Sequence, residues 1–143
     1  LLYLSILMNI TAFLGALAGG YFNDKYGSKN VIVFSLIGLI ITSSLILAVS
    51  SKGYFLFLAS LNGFFIGPVQ SASRVVISKM INKNDQNKAF GLFATSGKLT
   101  SFLGPMLVGT ITLLSGSQKI GFSSAIFLLL FGLAIILKIK KIQ

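Results

Sequence analysis

The sequence predicts an all-α protein, a polytopic transmembrane helical bundle with five spans. Apolar residues make up 55% of the 143 residues and charged residues only 10%, and the mean hydropathy is +0.92. Apolar runs of about 20 residues recur along the chain, and that length crosses a hydrocarbon core about 30 Å thick. The period-two alternation of a transmembrane β-barrel is absent from these runs. A soluble domain of this size would carry far more charge.

Short polar segments divide the predicted spans. The first span covers residues 1–22 and runs into a ten-residue polar hairpin at residues 20–29. The second covers residues 31–49 and stops at a Ser-Ser-Lys-Gly segment, residues 50–53. The third covers residues 54–77. Because the chain starts inside an apolar run with no basic segment before it, we expect a fragment that lacks its natural start and not a signal peptide.

The last two spans follow a polar loop at residues 79–88. The fourth covers residues 89–114, and serine and glycine at residues 115–119 predict the turn that ends it. The fifth covers residues 120–137, and a basic tail at residues 138–141 closes it. We therefore expect the whole chain to be one partial transmembrane bundle with no soluble domain.

Positive charge is placed unequally between the two ends of this bundle. Lysine and arginine number 12 against 2 acids, a net charge of +10. Because these bases lie between spans and not on one soluble face, we exclude nucleic-acid binding. With five alternating spans, Lys52 and Lys119 fall at one end of the bundle and the other bases at the opposite end. Basic loops are typical of the cytoplasmic side. The C-terminus is therefore predicted to be cytoplasmic. The basic end carries Lys25, Lys29, Arg74, Lys79, Lys83, Lys88, Lys138, Lys140 and Lys141.

The composition excludes most catalytic and metal chemistry. The sequence has no Cys and no His, and its acids are Asp24 and Asp85. A metal site or a hydrolytic triad would lack its usual ligands and bases. We expect no cofactor, no metal and no enzymatic activity. A membrane enzyme is the weakest alternative, because no general base or nucleophile–base pair is visible.

Lys98 is the strongest single candidate for a substrate contact. It lies about nine residues into the predicted fourth span, about 14 Å deep at 1.5 Å per residue. A lysine there costs on the order of 2–3 kcal/mol unless it is paired, hydrated or snorkels to the surface. No acid lies within a predicted span. The partner would be an acid on missing helices, or a negative group on the substrate itself. The polar residues around it are Ser96, Gly97, Thr100 and Ser101.

A second candidate surface lies on the third span. Gly67, Gln70, Ser71 and Arg74 recur at i, i+3, i+4 and i+7, which places them on one stripe of a helix. Arg74 is about one turn from the predicted cytoplasmic end, so anchoring to a lipid phosphate explains it equally well. Weaker cavity candidates, which packing hydrogen bonds explain equally well, are Asn9, Thr11 and Asn62.

Glycine and proline predict two features of helix geometry. Gly67-Pro68 and Gly104-Pro105 should bend their helices or loosen the hydrogen bonding. Small residues four apart let helix backbones approach in lipid. Generic membrane packing and a sliding interface are the alternatives for these pairs. The pairs are Gly15 and Gly19, Gly63 and Gly67, and Gly97 and Ser101.

The hairpin at residues 20–29 has a recognisable pattern, in which the key residues are Gly20, Asp24, Lys25, Gly27 and Lys29. The glycines permit a tight turn and close approach. The acid could accept hydrogen bonds at a neighbouring helix N-terminus, and the lysines could bind carbonyls at helix ends. We interpret the segment as a conformational latch. A plain basic turn retained for topology is the alternative.

These residues resemble the loop signature G-x-x-x-D-[RK]-x-G-x-[RK] of the major facilitator superfamily, except that Ser28 stands where that family usually has a base. Residues 67–74 and 90–105 are similar to segments of its vacuole-effluxer-like branch, which includes fungal vacuolar amino-acid effluxers related to autophagy. The resemblance runs from Gly15 to about Gly109. It implies a fold of two six-helix bundles, in which these five spans are helices eight to twelve.

The resemblance implies a secondary active transporter that moves a small polar solute by alternating access. Efflux of an amino acid or another zwitterionic or anionic metabolite is the implied activity. The expected partners are the lipid bilayer, a small-molecule substrate and the missing N-terminal helices, or a dimer partner if the chain is a half-transporter. The alternative is a non-transporting subunit or scaffold that pairs with an acidic partner helix. Heavy use of Lys, Asn, Ile and Phe favours a bacterial inner membrane over a vacuole.

Overall fold

Residues 2–139 form five long helices. The structure is a computed structural model, which describes these residues except for the side chain of Lys83. Each helix is long and apolar enough to cross a membrane. No strand occurs among the described residues, and the predicted all-α bundle is confirmed. The tail residues Lys140 and Lys141 lie outside the described residues. The helices are α1 (Leu2–Tyr26), α2 (Ser28–Ala48), α3 (Lys52–Met80), α4 (Gln86–Ser115) and α5 (Gln118–Lys138), with a 3₁₀ helix at Lys83–Asp85.

The helices run past the predicted spans. α3 has 29 residues and α4 has 30, which is about 45 Å each at 1.5 Å per residue. That length exceeds a hydrocarbon core of about 30 Å, so their ends reach the polar interface. α4 begins at Gln86, three residues before the predicted start at residue 89. Many polar residues expected in loops therefore lie in the terminal turns of helices.

The prediction of a ten-residue polar hairpin at residues 20–29 is wrong, because most of these residues are helical. α1 continues to Tyr26 and α2 begins at Ser28, so Gly27 alone joins them. Gly27 has a φ of 83°, which glycine adopts without steric cost, and this single residue reverses the chain. Gly20 lies inside α1, and no described atom lies within 4 Å of a Cβ placed on it. The helix satisfies the backbone groups of the neighbouring polar residues, so a longer loop is not required.

Both Gly-Pro pairs lie inside unbroken helices. Pro68 is within α3 and Pro105 is within α4. The predicted bends at these pairs stay predictions. The pairs differ in their surroundings, because Gly67 and Pro68 are buried, while no described atom lies within 4 Å of a Cβ placed on Gly104.

The packing order of the helices is α1, α3, α2, α5 and α4. α3 lies against both α1 and α2, α5 joins α2 to α4, and α4 meets α3 only sparsely. The buried apolar core lies where α2, α3 and α5 meet. It consists of Val31, Ile32, Leu36, Leu39, Ala72 and Val76, with Leu129, Leu133 and Ile136 of α5 packed against it.

Glycines set the contact between α1 and α3. A Cβ on Gly15 would overlap the backbone of Phe64, and a Cβ on Gly67 would overlap the backbone of Ala12. A Cβ on Gly19 would lie 2.8 Å from the Cα of Pro68. These two parallel helices therefore touch backbone to backbone, which in lipid gives dispersion contacts that larger residues would prevent.

A similar close contact closes the α4–α5 hairpin. Gly116 ends α4 with a φ of 66°, and its N–H donates to the carbonyl of Thr112 at 2.9 Å. A Cβ on Gly121 of α5 would lie 2.7 Å from the carbonyl oxygen of Val108. Gly97, by contrast, has no described atom within 4 Å of its Cβ position, so the predicted contact of Gly97 and Ser101 has no partner among the described residues.

Replacing Gly15 with Ala should destabilise the bundle, because the added methyl meets the backbone of Phe64 and not a side chain that can move. Overpacking of this kind costs about 2 kcal/mol or more. Thermal unfolding of the full-length protein in detergent measures the loss. Gly53→Ala, which adds the same methyl where no described atom lies within 4 Å, is the matched control. Equal melting temperatures for the two variants would contradict the proposed contact.

Candidate functional site

The exposed faces of α2 and α4 differ in chemistry. On α2 the exposed face is mainly apolar, with Phe34, Ile37, Ile41 and Leu45 at 43–70% exposure, and its exposed polar side chains are Asn30 and Ser44. Such a face matches lipid. α4 has no buried residue, and its exposed surface combines lysine, serine and threonine near the middle of the helix with large apolar residues such as Leu99 and Phe102. Polar groups at membrane depth normally face other helices or a water-filled path.

Lys98 lies close to the middle of α4. It is twelve residues after Gln86 and therefore about 18 Å along the helix. Its side chain is exposed, and no carboxylate of residues 2–139 lies within ion-pair distance of it. Thr95 and Ser101 are one turn away on each side, and both donate their hydroxyls to the helix backbone. Neutralisation of the ammonium therefore requires a group outside the described residues.

Other polar groups of α4 are satisfied within the helix. Ser96 Oγ donates to the carbonyl of Phe93 at 2.8 Å, and Thr100 Oγ1 donates to the carbonyl of Ser96 at 2.7 Å. Each hydroxyl still has lone pairs free to accept a hydrogen bond. These groups can therefore accept from a ligand without breaking the helix.

The predicted stripe on α3 divides into two surfaces. Gly67 is buried against α1, while Gln70 and Arg74 are exposed. Ser71 is half-buried, and its hydroxyl donates to the carbonyl of Pro68 at 3.2 Å. The stripe divides because α1 covers only the glycine part of it. Gln70 and Arg74 remain candidates for the wall of a polar path, and no ion pair of Arg74 occurs among the described residues.

Asn62 connects α3 to α2. Its Nδ2 donates to Ser43 Oγ at 3.2 Å, and its buried Oδ1 has no hydrogen-bond partner within the described part of the chain. Thr11 Oγ1 donates to the carbonyl of Met8 at 3.0 Å, and Asn9 Nδ2 donates to the carbonyl of Ser5 at 2.8 Å. Intrahelical and interhelical bonds therefore account for the donors of all three weaker candidates.

The motif residues surround the junction of α1 and α2. Lys29 Nζ donates to the carbonyl oxygen of Leu137 at 3.5 Å and to that of Ile139, and so caps the C-terminal end of α5. A cation at that position complements the helix dipole. Lys25 Nζ lies 5.4 Å from the ring centroid of Tyr26. Asp24 is exposed and has no ion pair among residues 2–139. The latch function of the motif stays a prediction.

Two buried polar groups at this junction were not predicted from the sequence. Asn23 Oδ1 and Ser28 Oγ are buried, and within the described part of the chain neither has a hydrogen-bond partner. Asn23 continues the spacing of Gly15 and Gly19 at four residues, so it follows the same buried face of α1. That spacing was the available signal.

Comparison with known proteins gives the family. The sequence matches the Major Facilitator Superfamily profile over residues 2–141. The chain belongs to this superfamily. Among solved structures none matches it. As a superfamily member with five membrane-spanning helices, the chain is an integral, multi-pass membrane protein.

The sequence is also similar to several curated proteins. Autophagy-related protein 22 of Cryptococcus neoformans is 39% identical over 72 residues, which is 50% of this chain and 13% of the relative. The uncharacterized MFS-type transporter YqjV of Bacillus subtilis is 27% identical over 97% of this chain and 34% of its own length. The multi-drug resistance efflux pump PmrA of Streptococcus pneumoniae is 28% identical over 97% of this chain and 35% of its length. The chain thus spans about a third or less of these relatives.

Replacing Lys29 with Met should loosen the C-terminal turn of α5, because the variant keeps the apolar stem and loses the charge and its N–H donors. The interaction is worth about 1 kcal/mol, so amide exchange near residues 133–139 should be about fivefold faster. Hydrogen–deuterium exchange with peptide resolution on the full-length protein measures this. Lys25→Met, in the same motif, should leave these amides unchanged. If both variants exchange like the wild type, Lys29 is not a cap in solution.

Proposed function

We propose that this superfamily member forms part of a secondary active transporter that moves a small polar solute across the membrane by alternating access. The observation that carries the proposal is the exposure of Lys98 and of several serine and threonine side chains near the middle of α4, whereas the exposed side chains near the middle of α2 are apolar. A helix that faced lipid on every side would not place Lys98 near its middle, because of the cost of an unpaired charge there. α4 is therefore assigned to the wall of an aqueous path.

The charge of this wall favours a solute with a negative group. Lys98 on α4 and Arg74 on α3 are exposed, and neither has an acidic partner within residues 2–139. A carboxylate on the solute would neutralise such a cation, while Gln70 offers both a donor and an acceptor. A zwitterionic or anionic metabolite, such as an amino acid, fits this set. The likeness to the efflux pump PmrA supports export as the direction.

The placement in the membrane follows from charge. The helix ends that carry Lys25, Lys29, Lys79, Lys88 and Lys138 all lie at one end of the bundle, because the five helices alternate in direction. Basic ends face the cytoplasm, so the C-terminus of α5 is assigned to the cytoplasmic side. We assign the membrane to the bacterial inner membrane and the five helices to positions eight to twelve of the complete transporter.

Lys98→Gln should reduce uptake or counterflow of the solute by at least tenfold, because the variant removes the charge that binds the negative group. Full-length protein in liposomes, screened with labelled amino acids and small carboxylates, provides the assay. Lys88→Gln, on the same helix, is the control and should transport normally, because its exposed ion pair with Asp85 contributes little.

Two outcomes would count against the proposal. Unchanged transport by Lys98→Gln would remove this lysine from the solute path. An inactive wild type that co-purifies with an acidic membrane helix would favour the alternative, a scaffold in which the partner neutralises Lys98.

A further inference from the structure

A groove of about 430 Å³ lies between α1 and α2, with α3 as its floor. It exists because the glycines of α1 hold that helix against α3, while α1 and α2 make few contacts with each other. The single-residue turn at Gly27 closes one end of it. The groove is separate from the polar residues of α4 and from Gln70 and Arg74, none of which lines it.

The walls of the groove are aromatic and apolar. Phe22 and Tyr26 form one wall, Val31 and Phe34 form the other, and Pro68 is part of the floor. Phe22 is 48% exposed and Phe34 is 70% exposed, so the groove is open along its length. Where these exposed rings face the bilayer, they meet lipid chains and not water. A flexible acyl chain is the occupant that this shape and this chemistry fit.

The closed end of the groove is basic and polar. Lys25 Nζ stands 5.4 Å from the ring centroid of Tyr26, which lines the groove. Asn30 also lines it, and its Nδ2 donates to the carbonyl of Tyr26 at 2.9 Å, leaving a second N–H for a ligand. This end of the bundle carries the excess of lysines and is assigned to the cytoplasmic leaflet, where anionic lipids attract basic residues. A lysine at the closed end of the groove would favour an anionic headgroup.

We propose that this groove binds one anionic phospholipid, with an acyl chain along Phe22, Phe34 and Pro68 and the phosphate at Lys25 and Asn30. The lipid would fill the space that α1 and α2 leave above α3, and would thereby brace the single-residue junction between them. The proposal is independent of the transported solute, because no residue of the solute path takes part.

Native mass spectrometry of the full-length protein from nanodiscs of phosphatidylglycerol and phosphatidylcholine tests the proposal. Phosphatidylglycerol should stay bound to the wild type. Lys25→Gln should bind it about fivefold more weakly, the effect expected for one lysine at a membrane surface. Ala18→Phe should abolish binding, because it places a ring inside the groove. Leu17→Phe, at the neighbouring exposed position outside the groove, should bind normally.

A second measurement covers the case in which Ala18→Phe does not fold. Phosphatidylglycerol should raise the melting temperature of the wild type in phosphatidylcholine nanodiscs, and should raise that of Lys25→Gln less. Equal retention of both lipids by the wild type, or equal effects of phosphatidylglycerol on wild type and Lys25→Gln, would overturn the anionic-lipid site. Normal retention by a folded Ala18→Phe would overturn the groove as its location.

Discussion

The close approach of α1 to α3 is the constraint on which the rest of the bundle depends. Gly15, Gly19 and Gly67 remove the side chains that would keep the two helices apart. In lipid no hydrophobic force drives helices together, so contact area and hydrogen bonds carry the association. With α1 held on one side of α3, the apolar core forms on the other side, between α2, α3 and α5. The same contact leaves the groove between α1 and α2 uncovered.

The charges of the chain are organised around this packing. One end of the bundle collects most of the lysines, and there Lys29 joins the start of α2 to the end of α5. The motif at residues 20–29 therefore touches three helices through one short junction. The polar residues of α4 lie deeper, and they have no acidic partner among the described residues. The structure thus separates the lysines at one end of the bundle from Lys98 near the middle of α4.

The sequence predicted the helices well and their contacts unevenly. Apolar runs bounded by lysine, serine and glycine were sufficient to find five spans, because membrane helices depend mainly on length and hydropathy. Spacing identified the glycine pairs of α1 and α3, which pack against each other, but it also suggested Gly97, which packs against no described helix. The spacing of small residues shows where close contact is possible but not which helix makes it. The extended hairpin was wrong because one glycine with positive φ is enough to turn the chain. The buried Asn23 and the groove required the positions of neighbouring helices, which no local pattern contains.

Accessibility of Gln70 to water tests the central claim, that the exposed polar residues of α3 and α4 border an aqueous path and not lipid. This chain has no cysteine, so Gln70→Cys can be labelled specifically in a full-length protein whose other cysteines are removed. Ile41→Cys, 54% exposed on the apolar face of α2, is the matched control. We predict that a water-soluble maleimide labels position 70 rapidly and position 41 very slowly. Equally slow labelling at both positions would contradict the claim, because both side chains would then face lipid.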